Sequence, residues 1–398
     1  MNNSLIKLFV ALAMACGACF LPSKASSAES AVEVPVFINI GQSNADGSAM
    51  FNPELDEEML AWYTSPANSG NMKIWYRSTQ VQNQESNKLG ESARWVVDGA
   101  ITDVEPGWLE LWYRNENLEG RTAMNMIHGY GTYSTGSGTD CAQGRRGMEG
   151  AFGRSFQENF PESELYIIKL GVSGSAIASW ANPLDDHNWN YFYDNVFTPA
   201  IADLLQKGKR PVLAGVWYMQ GCADSGKTYE YYKECLERLV QKIGTDLGFP
   251  GAHIYVGHIV KPGESTVTPT GSTQYGENVR RAQDDVAAAH ANVETVDTKD
   301  FPLQYEEAFK GYIHFSHAGV NDIGRELAAR VSKAGPRSWS KFTTPGRWID
   351  AGTTAVFIPK FGTPEITYTT RGDMVTATIT YPGFTDTICH QLPASPHK

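Results

Sequence analysis

The chain has 398 residues, 41% of them hydrophobic and 19% charged. That is enough to bury a large core in two or three domains, and too apolar for a disordered protein. A net charge of −11 argues against nucleic acid and against a basic membrane-binding face.

Residues 1–28 read as a signal peptide. Lys7 precedes an apolar run from Leu8 to Leu21, and Ser26-Ser27-Ala28 is a small-residue cleavage site. The run is short for a membrane span. The mature chain is therefore expected to begin near Glu29, to be exported to the periplasm or the medium, and to have no membrane attachment after cleavage. Four cysteines follow: Cys141, Cys222, Cys235 and Cys389. An even number permits two disulfides in an exported protein, and no pair has metal-ligand spacing.

Val34 to Ile40 predicts a buried strand. It stops at Gly41, with Gln42, Ser43 and Asn44 directly behind it. In an open α/β sheet, chemistry collects where strands reach their carboxyl edge, so Ser43 is placed like a nucleophile. A long Gly-, Asn- and Ser-rich stretch from about Ala45 to Arg146 carries Trp75, Tyr76, Trp95, Trp108, Trp112 and Tyr113. Such aromatics either pack the stretch onto the body or offer faces to sugar rings. Gly147 to Gln157 predicts a short helix, and Leu165 to Leu170 a second buried strand that ends in Gly171-Val-Ser-Gly-Ser-Ala176. Thr198 reads as a helix N-cap, with Pro199 at the first position and Gly208 past the end.

Pro211 to Met219 is a third strand, ending in Gln220-Gly-Cys-Ala-Asp224. A helix from Lys227 to about Leu247, a strand from Ile254 to His258, a helix from Asn278 to His290 and a strand from Val293 to Val296 follow. Gly311 to Ala318 leads into a last helix with Val320, Ile323, Leu327 and Val331 at helical spacing, ended by Gly335-Pro336. Strands alternating with helices predict an α/β fold: a three-layer α/β/α sandwich around a parallel sheet, over residues 32–335. Residues 336–398 change texture to Val-, Ile- and Thr-rich runs split by Gly and Pro. They predict a β-rich C-terminal segment with a flexible tail, docked on the body or appended to it.

Ester hydrolysis needs a nucleophile, a base, something to orient that base, and donors aimed at the developing oxyanion. Ser43 can be the nucleophile and His314 the base. The N–H groups of Ser43 and Gly174 and the side-chain amide of Gln220 can form the oxyanion hole. Gly41-Gln42-Ser43-Asn44, Gly174, Tyr218 to Asp224, Ile313 to Gly319 and Gly324 to Leu327 occur in an order that resembles the SGNH-superfamily carbohydrate acetylesterases. The resemblance is closest to the sialate O-acetylesterase-like and acetylxylan esterase-like branch, and it covers roughly Val34 to Val331. Gly147 to Phe156 also looks like that branch's Gly-x-Glu helix start.

The resemblance implies a flavodoxin-like sandwich and removal of acetyl groups from an acetylated oligo- or polysaccharide. It gives Ser43 as nucleophile, His314 as base, and Gly174 and Gln220 as completing the oxyanion hole. It implies no metal and no organic cofactor.

Two positions depart from the pattern. The aspartate expected three residues before the histidine is Gly311, and Cys222 stands where the family's His-Gln-Gly-Glu block has its acid. In a serine protease, changing the triad aspartate to its amide lowers turnover about 10⁴-fold, roughly 5 kcal/mol. A backbone carbonyl near Gly311 could orient His314 instead, or an acid elsewhere could: Asp300, Glu306, Glu307 or Asp224. Without either, the protein would be a glycan binder on a degenerate esterase fold. An apolar tunnel at Ser43 would point instead to a lipid or thioester hydrolase. His317 and His258 read as structural or rim residues, and Cys222 as a disulfide partner of Cys141 or Cys235.

Overall fold

The structure is a computed structural model that describes residues 32–50, 145–172, 174–259, 276–306, 311–352 and 354–393, with short pieces between 61 and 110. The predicted signal peptide, the C-terminal tail and Cys141 lie outside the described residues, as does most of the stretch from 51 to 144.

The apolar runs form the strands of one sheet. In chain order its members are β1 (Val32–Gly41), β2 (Met72–Tyr76), β3 (Gly107–Glu110), β4 (Leu165–Gly171), β5 (Lys209–Met219), β6 (Ile254–Gly257) and β7 (Val293–Val296). Their spatial order is β7-β6-β5-β1-β4-β2-β3. Along this order all pairs are parallel except the edge strand β3, which runs antiparallel to β2; an eighth short strand, Ser340–Lys341, pairs antiparallel with β5 off this path. The chain starts in the middle of the sheet and winds outward in both directions. The switch between the two directions therefore falls at β1, where Ser43 follows.

Both faces of β1 are buried, and its alternation assigns the layers. Val36, Ile38 and Ile40 share a core with α4 (Thr198–Gln206), α5 (Tyr229–Asp246) and α6 (Glu277–Ala289). Phe37 points the other way, into a core with α2 (Glu149–Asn159) and α7 (His317–Ala334). Helices on both faces of a mostly parallel sheet make the α/β/α sandwich that the alternating pattern predicts. Among the described residues no helix is long and apolar enough to cross a membrane.

Two local expectations change, and one open choice is decided. Thr198 is not a cap: its φ and ψ of −58° and −48° are helical. The chain is already helical from α3 (His187–Tyr191) through a π-turn over Phe192–Phe197. Pro199 has no N–H for the preceding turn, and a single π-turn lies directly upstream of it. Trp75 and Trp108 are cross-strand partners with ring centroids 5.1 Å apart, and Trp108 packs edge-on against Tyr166. These two indoles seal the sheet edge and do not form a sugar platform. Cys222, Cys235 and Cys389 are thiols, so no Cys222–Cys235 disulfide forms.

The C-terminal segment consists of a hairpin, β11 (Gly346–Asp350) with β12 (Ala355–Pro359), and a three-stranded sheet of β13 (Glu365–Arg371), β14 (Met374–Thr380) and β15 (Thr385–Gln391). It is joined through β10 (Ser340–Lys341), which pairs with the early part of β5. Phe342, Phe361 and Tyr381 extend the core already containing Phe197 and Phe249. Asp386, nearly buried, accepts from Arg210 at 3.1 Å and from the Thr344 N–H and hydroxyl at 3.0 and 2.7 Å. The segment thus docks at the amino-terminal end of β5, away from the edge that carries Ser43.

Candidate active site

Gly41 ends β1 with φ +146°, and a Cβ there would stand 2.1 Å from the Met219 carbonyl oxygen. Only glycine lets β1 and β5 finish this close together. The Gln42 N–H then donates to that same carbonyl at 2.9 Å. Ser43 opens α1 (Ser43–Asp46), a single turn closed by Gly47, whose N–H returns to the Ser43 carbonyl at 3.0 Å. The turn lies directly on β4, since a Cβ on Gly171 would stand 2.3 Å from the Asp46 backbone. From beneath, Asn39 donates to the Ala45 carbonyl at 3.0 Å and to Glu149 at 2.5 Å. Glu149 also pairs with Lys169 at 2.7 Å, both side chains essentially sealed from water. Ser43 is therefore held by three strands and a buried ionic network.

His314 is brought to this turn by a hairpin that the apolar pattern did not reveal. β8 (Leu303–Glu306) pairs antiparallel with β9 (Gly311–Phe315), with Gln304 opposite His314. Asn44, next to Ser43, fastens the hairpin. Its side-chain amide donates to the Ile313 carbonyl at 3.1 Å, and its side-chain oxygen accepts from the Phe315 N–H at 3.2 Å. These are the main-chain groups on either side of His314. Gln304 adds a bond to the Ser48 carbonyl at 3.0 Å. Ser43 and His314 are both nearly buried, at 7% and 6% exposure. Catalytic contacts between a nucleophile and its base commonly tighten only with substrate bound.

The other two expected groups sit on the neighbouring strand ends. Gly174, exposed, with φ +70°, follows β4 and has open space where a Cβ would stand. Gln220 follows β5 and is fully buried. Its amide nitrogen donates to the Ser175 carbonyl at 2.9 Å and to Asp224 at 2.6 Å. Its oxygen accepts from Tyr218 and Tyr232 at 3.3 and 3.2 Å. Asp224 also accepts the Ile177 N–H at 2.7 Å. Burial pushes the Asp224 carboxyl above the ordinary carboxylate range, with the Gln220 and Ile177 hydrogen bonds pulling the other way.

The acids considered for His314 are thereby separated. Asp224 is committed to the Gln220 loop. Asp300 lies exposed in the turn after β7, Glu306 stands opposite Gly311 in the β8–β9 ladder, and Glu307 lies outside the described residues. His258, at the end of β6, bonds Asp284 at 2.8 Å. His317 is the first residue of α7, and Cys222 is half-buried beside Gln220. Among the described residues no group of three His, Cys, Asp or Glu could hold a metal ion. Sequence reasoning assigned no task to Asn44 or Gln42, although both flank Ser43. An amide on each side of the serine was the available signal.

A family model described as carbohydrate esterase, sialic acid-specific acetylesterase, matches residues 116–333, over half of the chain. The chain belongs to this family. The matched stretch contains Gly174, Gln220 and His314 but not Ser43, which the fold adds from β1. Among solved structures, the chain is similar to a carbohydrate acetylesterase from Xanthomonas citri, at 14% identity and TM-score 0.44 over 87% of this chain and 63% of that one. It thus spans less than two thirds of that protein's length. It is also similar to a carbohydrate acetylesterase family member from Sinorhizobium meliloti, at 17% identity and TM-score 0.31 over 48% of this chain and 90% of that one. A single-residue variant of an acetyl xylan esterase from Geobacillus stearothermophilus aligns at 17% identity and TM-score 0.30 over 50% of this chain and 87% of that one. These are distant likenesses, and membership rests on the family model. No curated protein matches the chain by sequence.

Proposed function

We propose that the protein is an exported serine esterase that removes O-acetyl groups from a carbohydrate. The Ser43 oxygen attacks the acetyl carbonyl as its proton passes to His314. The developing oxyanion is received by the N–H groups of Ser43 and Gly174, with Gln220 bordering them from the end of β5. His314 then protonates the departing sugar oxygen, leaving acetyl-Ser43. Water, giving its proton to His314, attacks this ester, and acetate leaves as Ser43 recovers its proton. With Gly311 at the usual aspartate position, this reading takes His314 to work in a Ser–His dyad oriented by a main-chain carbonyl near Gly311.

The observation that carries this reading is the double hydrogen bond of Asn44, which ties the chain on both sides of His314 to the residue beside Ser43. Gly311 also fits a second reading, a glycan-binding protein on the same fold without turnover. Hydrolysis of para-nitrophenyl acetate and of acetylated glycans by wild type, Ser43→Ala and His314→Ala separates the two. The esterase reading expects turnover in wild type alone. Inert wild type that still binds the glycans would establish the binder.

A further inference from the structure

An oxyanion donor must have a hydrogen free to give. A primary amide has two, and in Gln220 both are committed, one to the Ser175 carbonyl at 2.9 Å and one to Asp224 at 2.6 Å. The Gln220 oxygen is equally occupied by Tyr218 and Tyr232. The whole side chain is sealed, and the other Asp224 oxygen already has no partner. Turning Gln220 toward a substrate would strip a buried carboxylate of one of its two donors.

Gln42 presents the opposite case. Its side-chain oxygen accepts from the Gly221 N–H at 3.0 Å and the Ala223 N–H at 3.3 Å. Two N–H donors at that end fix which atom is oxygen and turn the nitrogen away from the loop. The nitrogen has no hydrogen-bond acceptor among the described residues, and Gln42 is nearly buried, with 4% exposure remaining. Among the described residues the nitrogen is not one of the fully sealed, unpartnered side-chain atoms. The residue precedes the nucleophile, and its main chain is pinned to Met219. A nearly buried amide with two unused hydrogens beside Ser43 is placed to meet a substrate acceptor.

We infer that Gln42 supplies the side-chain amide donor to the oxyanion, alongside the N–H groups of Ser43 and Gly174. Gln220 is instead a positioning residue that joins the loop after β4 to the loop after β5. The inference rests on the serine-esterase reading and deepens it. As the carbonyl carbon becomes tetrahedral, negative charge grows on its oxygen, and the Gln42 N–H strengthens its bond to that atom without transferring a proton.

Gln42→Glu is the discriminating variant. A carboxylate still accepts from Gly221 and Ala223 but offers no hydrogen to an oxyanion. The inference expects kcat on para-nitrophenyl acetate to fall about 10²–10³-fold, with KM changed far less and the circular dichroism of the fold retained. Gln42→Met, of similar length and without donors, carries the same expectation for kcat. A wild-type measurement needs no variant to fold. With glutamine side chains labelled with nitrogen-15, phosphonate capture on Ser43 should shift the Gln42 amide resonance and leave that of Gln220 in place.

Turnover by Gln42→Glu within about threefold of wild type, or a shift at Gln220 with none at Gln42, would overturn the inference while leaving the esterase reading intact. Inert wild type would overturn both.

Discussion

Asn44 and Glu149 hold the Ser43 turn most closely, Asn44 from the His314 hairpin and Glu149 from beneath. Asn44→Ala removes the partners of two main-chain groups at Ile313 and Phe315. Unpaired buried groups of this kind cost about 1–3 kcal/mol, and the hairpin bearing His314 loses its fastening to the serine turn. The expected result is a fall in kcat/KM of about 10²-fold, larger than the shift in KM alone, with a modest fall in Tm by calorimetry. Glu149→Ala acts from beneath. It removes the carboxylate paired with the sealed Lys169, and breaking a buried ion pair typically costs about 3–5 kcal/mol, so chemical denaturation should show a large stability loss. At this scale Ser43 and His314 stood out as candidates because a polar cluster after an apolar run and a histidine before a helix leave traces in sequence. The commitment of the Gln220 hydrogens was not legible, because it depends on Ser175, Asp224, Tyr218 and Tyr232 arriving from three segments.

Among the elements, strands buried on both faces announce themselves as unbroken apolar runs, so β1, β4, β5, β6 and β7 were readable within a residue or two. The β8–β9 hairpin was not, since its short mixed strands carry neither a clean period-2 pattern nor a turn signature. Thr198 was misread because the cap residue and proline signal a helix start only when no helix precedes them. One element-level clamp is testable by pH. Glu164, just before β4, bonds Lys73 on β2 at 3.0 Å, Tyr166 at 2.7 Å, and Lys209 on β5. Burial alone would raise its pKa, but these bonds together hold it down to about 2.

A depressed carboxylate contributes stability above its unfolded pKa and loses it as pH falls through the folded value. Glu164→Gln should therefore be destabilising at pH 7, by about 1 kcal/mol given its partial exposure. The gap to wild type should close as pH drops from about 4.5 toward 2. A constant gap across that range would contradict the clamp.

Over the whole molecule, the sheet separates two tasks. Its carboxyl edge gathers Ser43, Gly174, Gln220 and, through the hairpin, His314. Its amino-terminal side takes the C-terminal β segment through Arg210, Phe342 and Asp386. Asp386→Ala should lower stability by about 3–5 kcal/mol, because it leaves Arg210 and Thr344 without their shared partner in a nearly buried site. The folded fraction should keep kcat/KM within about twofold of wild type, as measured after correcting for active protein. A matching loss of activity would tie the β segment to the site. The two-part texture was readable from composition; the choice between docked and appended was not, because docking rests on Phe342, Phe361 and Tyr381 meeting Phe197 and Phe249 from distant segments.

The central claim is that Ser43 forms the covalent intermediate. Acid-quenching the enzyme during turnover of para-nitrophenyl acetate and mapping the adduct by mass spectrometry tests it most directly. The account predicts an acetyl group on Ser43 in wild type, absent from Ser43→Ala, with the burst of nitrophenol lost in the same variant. An acetyl group on another residue, or undiminished turnover by Ser43→Ala, would contradict it.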